Sequence, residues 1–248
     1  MPASFATPLT LRRVDPLARI ADEPTAAALL LDVDGVLAPI VPNPEDARVP
    51  EETRAELARL AQRYGLVACI TGRASDVARE IVGVEELTYV GEHGLELDPA
   101  AGEWASAIHG FAAEVPWRET ETKPLSVAFH YRNEADTDEA RRQLEPVAAA
   151  ALAAGFRTRW GRMVLEVLPP LDVSKGTAVR RLLEERGLRC ALYAGDDTTD
   201  LDGFRALDGL DAAVRVAVVS AEGPSELGEA ADLIVGSTDA FLELLKQL

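Results

Sequence analysis

Continuous apolar runs alternate with amphipathic segments between residues 26 and 97. The run over residues 26–31 contains no polar position, which is typical of a strand buried on both faces of a parallel sheet. Residues 50–64 instead place apolar side chains at helical spacing among charged ones. The predicted strands are 26–31, 66–70 and 88–90, and the predicted helices are 50–64 and 75–82. This alternation predicts a parallel sheet with crossover helices.

The pattern changes after residue 97 and returns after residue 171. Between these points the sequence predicts a strand over 126–131, an Ala-rich helix over 136–154 and a strand or hairpin over 157–168. The alternation of strands and helices seen over residues 26–97 then resumes. It predicts a helix over 175–186, strands over 190–194, 215–219 and 233–235, and a terminal helix. We therefore predict an α/β protein. Its Rossmann-like core comprises residues 26–97 and 171–248, an α+β cap domain is inserted over 98–170, and residues 1–25 form an N-terminal arm.

The composition is that of an ordinary globular chain. Apolar residues make up 48% of the 248 positions, and 42 acidic against 25 basic residues give a formal net charge of −17. This charge argues against binding to nucleic acid or to an anionic membrane, while a small anionic substrate needs only a few local cations or a metal. Cys69 and Cys190 lie in apolar runs, which favours buried free thiols in a cytoplasmic protein. No run reaches the ~20 apolar residues of a membrane span, and we expect a monomer.

Polar residues follow three of the predicted strands. Asp32 and Asp34 come after the first strand, Thr71 after the second, and three more acids after a late one: Asp196, Asp197 and Asp200. Ligands of an open parallel sheet bind beyond the carboxyl ends of its strands, so these side chains are expected to converge. Converging carboxylates repel one another unless a cation lies among them, and hard oxygen ligands favour Mg²⁺ over zinc.

Asp32 and Asp34 can take two different roles in one reaction. One carboxylate can attack while the other handles protons. The alternative is that Asp32-Val33-Asp34-Gly35 is merely a turn, since Asp and Gly favour turns. Lys175, at the start of a predicted helix, adds a cation at a helix N-terminus that favours an anion. The combination favours a reactive site over a turn.

These motifs resemble those of the haloacid dehalogenase superfamily of phosphatases. The resemblance rests on Asp32-Val33-Asp34-Gly35, Thr71, Lys175 and the Gly-Asp-x-x-x-Asp of residues 195–200. It implies that Asp32 is the nucleophile and that Asp34 is the general acid and base. It also implies a Mg²⁺ ion held by Asp32, the backbone carbonyl of Asp34 and Asp196, with Asp197 or Asp200 in support. The phosphate would be held by Thr71, Gly72 and Lys175.

A narrower resemblance is to trehalose-6-phosphate phosphatases. Thr71-Gly72-Arg73 stands where that family has Ser-Gly-Arg, and Gly91-Glu92-His93-Gly94 is intact. Glu-x-Lys followed by His-Tyr-Arg, and a Glu three residues before a Pro, are also present in the insertion. The substrate-binding residues implied are Arg73, Glu92, His93, Gly94, Glu121, Lys123, His130, Arg132 and Glu166. Polar side chains in the insertion suit a sugar, whose hydroxyls need hydrogen-bond partners in a desolvated pocket.

The sequence departs from that family at three positions. Val36 stands in place of a usual Thr, Leu201 in place of a usual Glu and Leu168 in place of a frequent Arg. Some of the motif residues also allow an interpretation without a functional role. Glu92-His93 could form a turn, and Lys123, His130 and Arg132 could lie on the solvated surface.

The expected function is Mg²⁺-dependent hydrolysis of the small-molecule substrate trehalose 6-phosphate. Alternatives are the same chemistry on sucrose 6-phosphate or glucosyl-3-phosphoglycerate, or an inactive sugar-phosphate-binding regulator. The intact acids count against the regulator, because a binder needs no nucleophile.

Overall fold

A computed structural model describes residues 16–220 and 223–248 of the chain. Its strands are β1 (Ala27–Leu31), β2 (Leu66–Ile70), β3 (Thr88–Val90), β4 (Thr120–Thr122), β5 (Val127–His130), β6 (Arg157–Gly161), β7 (Val164–Leu168), β8 (Cys190–Gly195), β9 (Ala212–Val218) and β10 (Leu233–Val235). Its helices are α1 (Pro16–Asp22), α2 (Glu51–Ala61), α3 (Ser75–Val82), α4 (Gly102–Ala113), α5 (Thr137–Ala153), α6 (Lys175–Arg186), α7 (Asp200–Ala206), α8 (Ser225–Ala230) and α9 (Thr238–Leu245).

Six strands form a parallel sheet in the order β10-β9-β8-β1-β2-β3. The side chains of β1 alternate between two apolar layers, because successive residues of a strand point to opposite faces. Leu29 and Leu31 pack in the layer that contains residues of α1, α2, α3 and α9, and Leu30 packs in the layer that contains residues of α6, α7 and α8. The sheet is therefore covered by helices on both faces, and the predicted α/β fold is confirmed.

The inserted cap is a four-stranded antiparallel sheet in the order β4-β5-β7-β6. Phe129 and Leu165 pack on one face against Ile108 of α4 and Leu144 of α5. The register aligns the polar side chains of the other face across the strands. Glu121 is opposite Ala128, Ala128 is opposite Glu166, and Glu166 is opposite Arg159. The second sheet fits the predicted cap domain and presents a row of charged groups.

The described residues contain α4, β4, α7 and α8, which the sequence did not indicate, and α1 within the predicted arm. The predicted arm, residues 1–25, contains α1, whose Ile20 is fully buried in the core, and residues 1–15 of that prediction lie outside the described residues. The sequence did not indicate α4, because apolar and small residues surround this helix and leave little helical periodicity. Cys69 and Cys190 are buried free thiols, as predicted. Within the described ranges, none of the helices combines the length and apolarity that a membrane crossing requires.

Candidate active site

The site lies at the carboxyl ends of the two central strands. β1 and β8 are neighbours, and the chain continues from β1 to β2 on one side and from β8 to β9 on the other. This is the topological switch point of the sheet, where open α/β folds bind their ligands. Asp32 directly follows β1, and Asp196 directly follows β8. The predicted convergence of acids from separate strands is therefore observed.

Lys175 lies between two of these acids. It is the first residue of α6, whose start is fixed by a capping box between Ser174 and Thr177. Its Nζ lies 2.7 Å from Asp32 Oδ2 and 2.7 Å from Asp200 Oδ1, and the three side chains are buried. Burial alone would lower the pKa of Lys175, but the two carboxylates outweigh it and raise that pKa. The lysine is therefore held as a cation beside the predicted nucleophile.

Asp200 uses both carboxylate oxygens within the protein. Oδ1 accepts hydrogen bonds from Lys175 and from the Tyr193 hydroxyl, at 2.7 and 2.8 Å. Oδ2 accepts from the backbone N–H groups of Asp196 and Asp197, at 2.9 and 3.0 Å. Asp200 thus fixes the loop that carries the other two acids. Sequence reasoning missed Tyr193, because it lies within an apolar run and only the fold turns its hydroxyl toward Asp200.

The acids fit a hard divalent cation. Carboxylate oxygens of Asp32, Asp196 and Asp200 lie within 4.8 Å of one another, and Lys175 is the cation in contact with two of them. Burial, together with repulsion from Asp200, raises the pKa of Asp196 to about 7. The pKa of Asp32 is also raised by its burial, in spite of Lys175. The three buried carboxylates repel one another, and Asp200 already accepts four hydrogen bonds. Asp32 and Asp196 are therefore the hard donors of this cluster that suit Mg²⁺.

Asp34 and Asp197, which the resemblance also placed at the metal, have other side-chain partners. Both oxygens of Asp34 accept from Arg73, Oδ2 from Nε at 2.6 Å and Oδ1 from Nη2 at 2.7 Å. Arg73 also donates from Nη1 to the carbonyl of Pro44. A carboxylate oxygen of Asp197 lies 3.8 Å from Nη2 of Arg162 in the cap. Arg73, predicted to bind substrate, therefore holds the side chain of the predicted general acid.

The loop after β2 brings the predicted phosphate-binding residues to the same place. Thr71 is buried, and its carbonyl accepts from the backbone N–H of His93 at 2.8 Å. A Cβ on Gly72 would lie 2.5 Å from Nε2 of His93, so this position requires glycine. The Gly72 carbonyl accepts a hydrogen bond from Nζ of Lys123 at 3.0 Å. The loop is thus held between the core and the cap.

Residues 92–94 have an unusual backbone. Glu92, His93 and Gly94 all have positive φ values, of 47°, 57° and 104°. Residues other than glycine rarely adopt such backbone angles. The buried carboxylate of Glu92 accepts from the N–H of Leu125 at 2.9 Å and from the hydroxyl of Ser126. Burial raises the pKa of Glu92 and lowers that of His93. Glu92, predicted to bind substrate, therefore joins the core to the cap through these two hydrogen bonds.

Glu166 lies between cations at the cap end of the site. Its Oε1 accepts from Nζ of Lys123 at 3.1 Å, its Oε2 accepts from Nε of Arg159 at 2.8 Å, and Nε2 of His93 lies 3.7 Å away. Burial alone would raise the pKa of Glu166, but Lys123 and Arg159 lower it well below its usual range. Sequence reasoning missed Arg159 and also Arg162, whose Nη1 lies 3.5 Å from Asp196 Oδ2. Pairing the predicted hairpin from its turn would have placed Arg159 opposite Glu166.

One cavity of about 270 Å³ extends from the acids of the core to the charged face of the cap sheet. The predicted residues that line it are Asp32, Asp34, Thr71, Gly72, Arg73, His93, Glu121, Lys123, His130, Arg132, Glu166, Lys175, Asp196 and Asp197. The remaining three, Glu92, Gly94 and Asp200, are buried. Glu121 and His130 contact each other at 2.8 Å on the cap side. The cavity can thus hold a phosphate beside Lys175 and a polyhydroxylated group beside the cap.

Solved structures similar to this chain define the class of fold. The C-terminal domain of trehalose-6-phosphate phosphatase from C. albicans matches with a TM-score of 0.71 and 22% identity, over 93% of each chain. A haloacid dehalogenase-like hydrolase from Bacteroides thetaiotaomicron matches with a TM-score of 0.60 and 17% identity, over 89% of this chain and 98% of that one. The chain therefore has the haloacid dehalogenase-like hydrolase fold.

Sequence comparisons identify the family within this class. The family model described as trehalose-phosphatase matches residues 30–233. A probable trehalose-phosphate phosphatase 2 of Oryza sativa subsp. japonica is 32% identical, over 73% of this chain and 58% of that protein. A trehalose-phosphate phosphatase of Mycobacterium avium (strain 104) is 35% identical, over 73% of this chain and 51% of that protein. The chain belongs to the trehalose-phosphatase family, and it spans little more than half the length of these curated relatives.

Proposed function

We propose that this chain is a Mg²⁺-dependent phosphatase that hydrolyses trehalose 6-phosphate to trehalose and phosphate. The observation that carries the proposal is a cavity lined by Asp32 and Lys175 at one end and by Lys123 and Glu166 at the other. A phosphate monoester of a sugar needs both ends, because its phosphate must meet a nucleophile and its hydroxyls need partners. The family membership supports this substrate over other sugar phosphates.

The first half of the proposed reaction uses Asp32 and Asp34. A carboxylate oxygen of Asp32 attacks phosphorus, and the bond from phosphorus to the sugar oxygen breaks. Asp34, after one of its oxygens has left Arg73 and taken a proton, gives that proton to the sugar oxygen. The product sugar leaves, and an aspartyl-phosphate remains on Asp32. The backbone N–H of Val33 donates to Asp32 Oδ1 at 2.7 Å, and Lys175 contacts Oδ2, so the nucleophile is held in one orientation.

The second half returns the enzyme to its starting state. Asp34 takes a proton from a water molecule, whose oxygen attacks phosphorus and displaces Asp32, and inorganic phosphate leaves. Lys175, Thr71 and the N–H of Gly72 would hold the phosphate oxygens throughout. Asp32, the carbonyl of Asp34 and Asp196 would hold Mg²⁺, with Asp197 in support and Asp200 fixing the loop. When bound, the ion supplies charge neutralisation to the phosphoryl group.

The cap would supply specificity in this proposal. We propose that residues 98–170 form a cap domain that closes over the sugar, excludes water and contributes Glu121, Lys123, His130, Arg132 and Glu166. Residues 26–97 and 171–248 would form the catalytic core. Lys123 and Arg162 already reach core groups, at 3.0 Å from the Gly72 carbonyl and 3.5 Å from the Asp196 carboxylate. These contacts support a cap that acts directly over the cavity.

A phosphate-release assay over a substrate panel tests the proposal. The panel contains trehalose 6-phosphate, sucrose 6-phosphate, glucosyl-3-phosphoglycerate and p-nitrophenyl phosphate, and Asp32→Asn is the inactive control. We expect the highest kcat/KM for trehalose 6-phosphate. A higher value for another sugar phosphate would replace the substrate but keep the chemistry. No turnover of any member, together with binding of a sugar phosphate, would favour the regulator.

A further inference from the structure

Arg159 occupies a special place in the cap sheet. It lies on β6 directly opposite Glu166 of β7, on the face of the sheet that is turned away from α4 and α5. Its neighbour Trp160 points to the other face and packs in the apolar layer of the cap. Arg159 is therefore aimed at the cavity by the alternation of the strand, and it lines that cavity.

The contacts of Arg159 converge on one carboxylate oxygen. Nε donates to Glu166 Oε2 at 2.8 Å, and Nη2 lies 2.7 Å from the same oxygen. Lys123 contacts the other oxygen, Oε1. The side chain of Glu166 is 7% exposed, and those of Lys123 and Arg159 are 10% and 22% exposed. An isolated buried carboxylate would be unfavourable, whereas one held between two cations stays ionised and fixed.

The two cations differ in what else they contact. Lys123 also donates to the Gly72 carbonyl of the core, so its position depends on how the cap and the core are arranged. Arg159 and Glu166 are cross-strand neighbours of one sheet, so they move together with the cap. Arg159 therefore holds Glu166 through a contact within the cap sheet, which does not depend on how the cap lies on the core.

We propose that Arg159 determines the selectivity for sugar phosphates, as a positioning residue that holds Glu166 ready to accept hydrogen bonds from sugar hydroxyls. This inference rests on the proposed function, because it assigns Glu166 to sugar recognition. The Arg159 guanidinium takes no part in the chemical step. Its loss would let the Glu166 carboxylate turn toward Lys123 and away from the hydroxyls.

Selectivity is the quantity to measure. It is defined as kcat/KM for the preferred sugar phosphate of the wild type divided by kcat/KM for p-nitrophenyl phosphate. We expect Arg159→Met to lower it roughly ten- to a hundredfold, mainly through KM for the sugar phosphate. Arg159→Lys keeps the charge and should recover part of the loss. Arg142→Met is the matched control, because Arg142 is an exposed cap arginine that pairs with Glu139 of its own helix.

A double-mutant cycle shows whether Arg159 acts through Glu166. Glu166→Ala alone should lower the selectivity, and adding Arg159→Met should lower it no further. Losses that multiply would overturn the positioning role, because Arg159 would then act on the substrate by itself. Equal selectivity of Arg159→Met and the wild type, or equal selectivity of the Lys and Met variants, would also overturn it.

The experiment separates this inference from the proposed function. If the wild type prefers a sugar phosphate other than trehalose 6-phosphate, the proposed substrate fails, but the selectivity ratio for the preferred sugar still decides the role of Arg159. If trehalose 6-phosphate is preferred and Arg159→Met keeps that preference, only the inference fails. Melting temperatures of the Met and Lys variants show whether each is folded. If Arg159→Met is unfolded, the selectivity of Arg159→Lys is compared with that of the wild type instead.

Discussion

The two ends of the cavity have opposite arrangements of charge. At the core end three carboxylates, those of Asp32, Asp196 and Asp200, lie around Lys175, and Arg162 of the cap reaches Asp196. At the cap end the carboxylate of Glu166 lies between two cations. Burial and mutual repulsion raise the pKa of the core acid Asp196, whereas neighbouring cations lower the pKa of Glu166. The core end therefore suits a further cation and a phosphate, and the cap end suits neutral hydroxyl groups.

The ends also differ in how they are built. The core acids follow adjacent strands of one sheet, and Lys175 begins α6, which packs on that sheet, so the fold of the core alone brings them together. The cap groups reach the cavity only because the second sheet lies against the first, through contacts such as those of Glu92 with Leu125 and Ser126. Changes at the core end should therefore affect every substrate, and changes at the cap end should affect the sugar alone.

The largest effect is expected from a change of Asp32, the proposed nucleophile. Asp32→Asn should lower kcat by about 10³-fold or more for trehalose 6-phosphate and for p-nitrophenyl phosphate alike, because an amide cannot attack phosphorus. Steady-state phosphate release measures both substrates, and a circular dichroism melt checks folding. Asp202→Asn, at an exposed position of α7, should behave as the wild type. Substantial turnover by Asp32→Asn would place the nucleophile elsewhere.

Removal of metal should act on the same end. Excess chelator is expected to abolish hydrolysis of both substrates and added Mg²⁺ to restore it, because the buried acids repel one another without a cation. Mg²⁺ should also raise the melting temperature of the wild type, and it should do so less for Asp196→Asn. Full activity in excess chelator, with no thermal shift on adding Mg²⁺, would contradict the metal assignment.

A change at the cap end should separate the substrates. Lys123→Ala is expected to lower kcat/KM for trehalose 6-phosphate by roughly ten- to a hundredfold, because Glu166 loses a partner and the sugar loses a donor. p-Nitrophenyl phosphate is too small to need the cap and should be affected far less. Lys246→Ala removes the same charge near the C-terminus and is the control. Equal losses on both substrates would show that Lys123 acts on folding or on the chemical step.

A substitution of Arg73 shows whether this residue serves the chemical step or the recognition of the sugar. Arg73→Lys should lower kcat by about tenfold for both substrates, because an ammonium cannot hold both oxygens of Asp34. Single-turnover measurements would show whether the chemical step is slowed. Arg79→Lys, in an exposed pair with Glu85, provides the matched control. A loss confined to trehalose 6-phosphate would instead make Arg73 a residue that reads the sugar.

The last expected effect concerns stability rather than turnover. The folded-state pKa of Glu166 lies below its ordinary value of 4.5, so its ionised form stabilises the fold above that pH and the contribution is lost as the pH falls through the folded pKa. Glu166→Gln should destabilise the protein by about 3 kcal/mol at pH 7 and by progressively less below pH 4.5. Urea unfolding at pH 7, 5 and 3.5 measures this difference. A difference that stays constant with pH would contradict the ionic role of Glu166.

The core end of the site could be predicted from the sequence, because its residues follow apolar runs. A continuous apolar run such as Ala27–Leu31 is typical of a buried parallel strand. In a parallel sheet the carboxyl ends of all strands lie on the same side. This argument placed Asp32 and Asp196 together without any knowledge of loop geometry. It could not show that Asp34 faces Arg73, because loops fix side-chain direction only through tertiary contacts.

The cap end was harder to predict, because its contacts depend on register and on docking between domains. Arg159 meets Glu166 only in one pairing of the hairpin, since a shift by one residue would turn it to the opposite face. The contact of Glu92 with Leu125 crosses from the core to the cap, and no local pattern encodes it. The resemblance supplied the candidate residues at this end, but it did not indicate that Glu92 contacts the cap.

The position of β1 in the sheet has a consequence for synthesis of the chain. β1 is paired with β2 on one side and with β8 on the other, and the whole cap lies between these partners in sequence. A nascent chain therefore carries a fully apolar strand with one unpaired edge until residue 195 has been made. Such an edge can pair with other chains, so truncation before β8 should leave a product that aggregates even though its cap is complete.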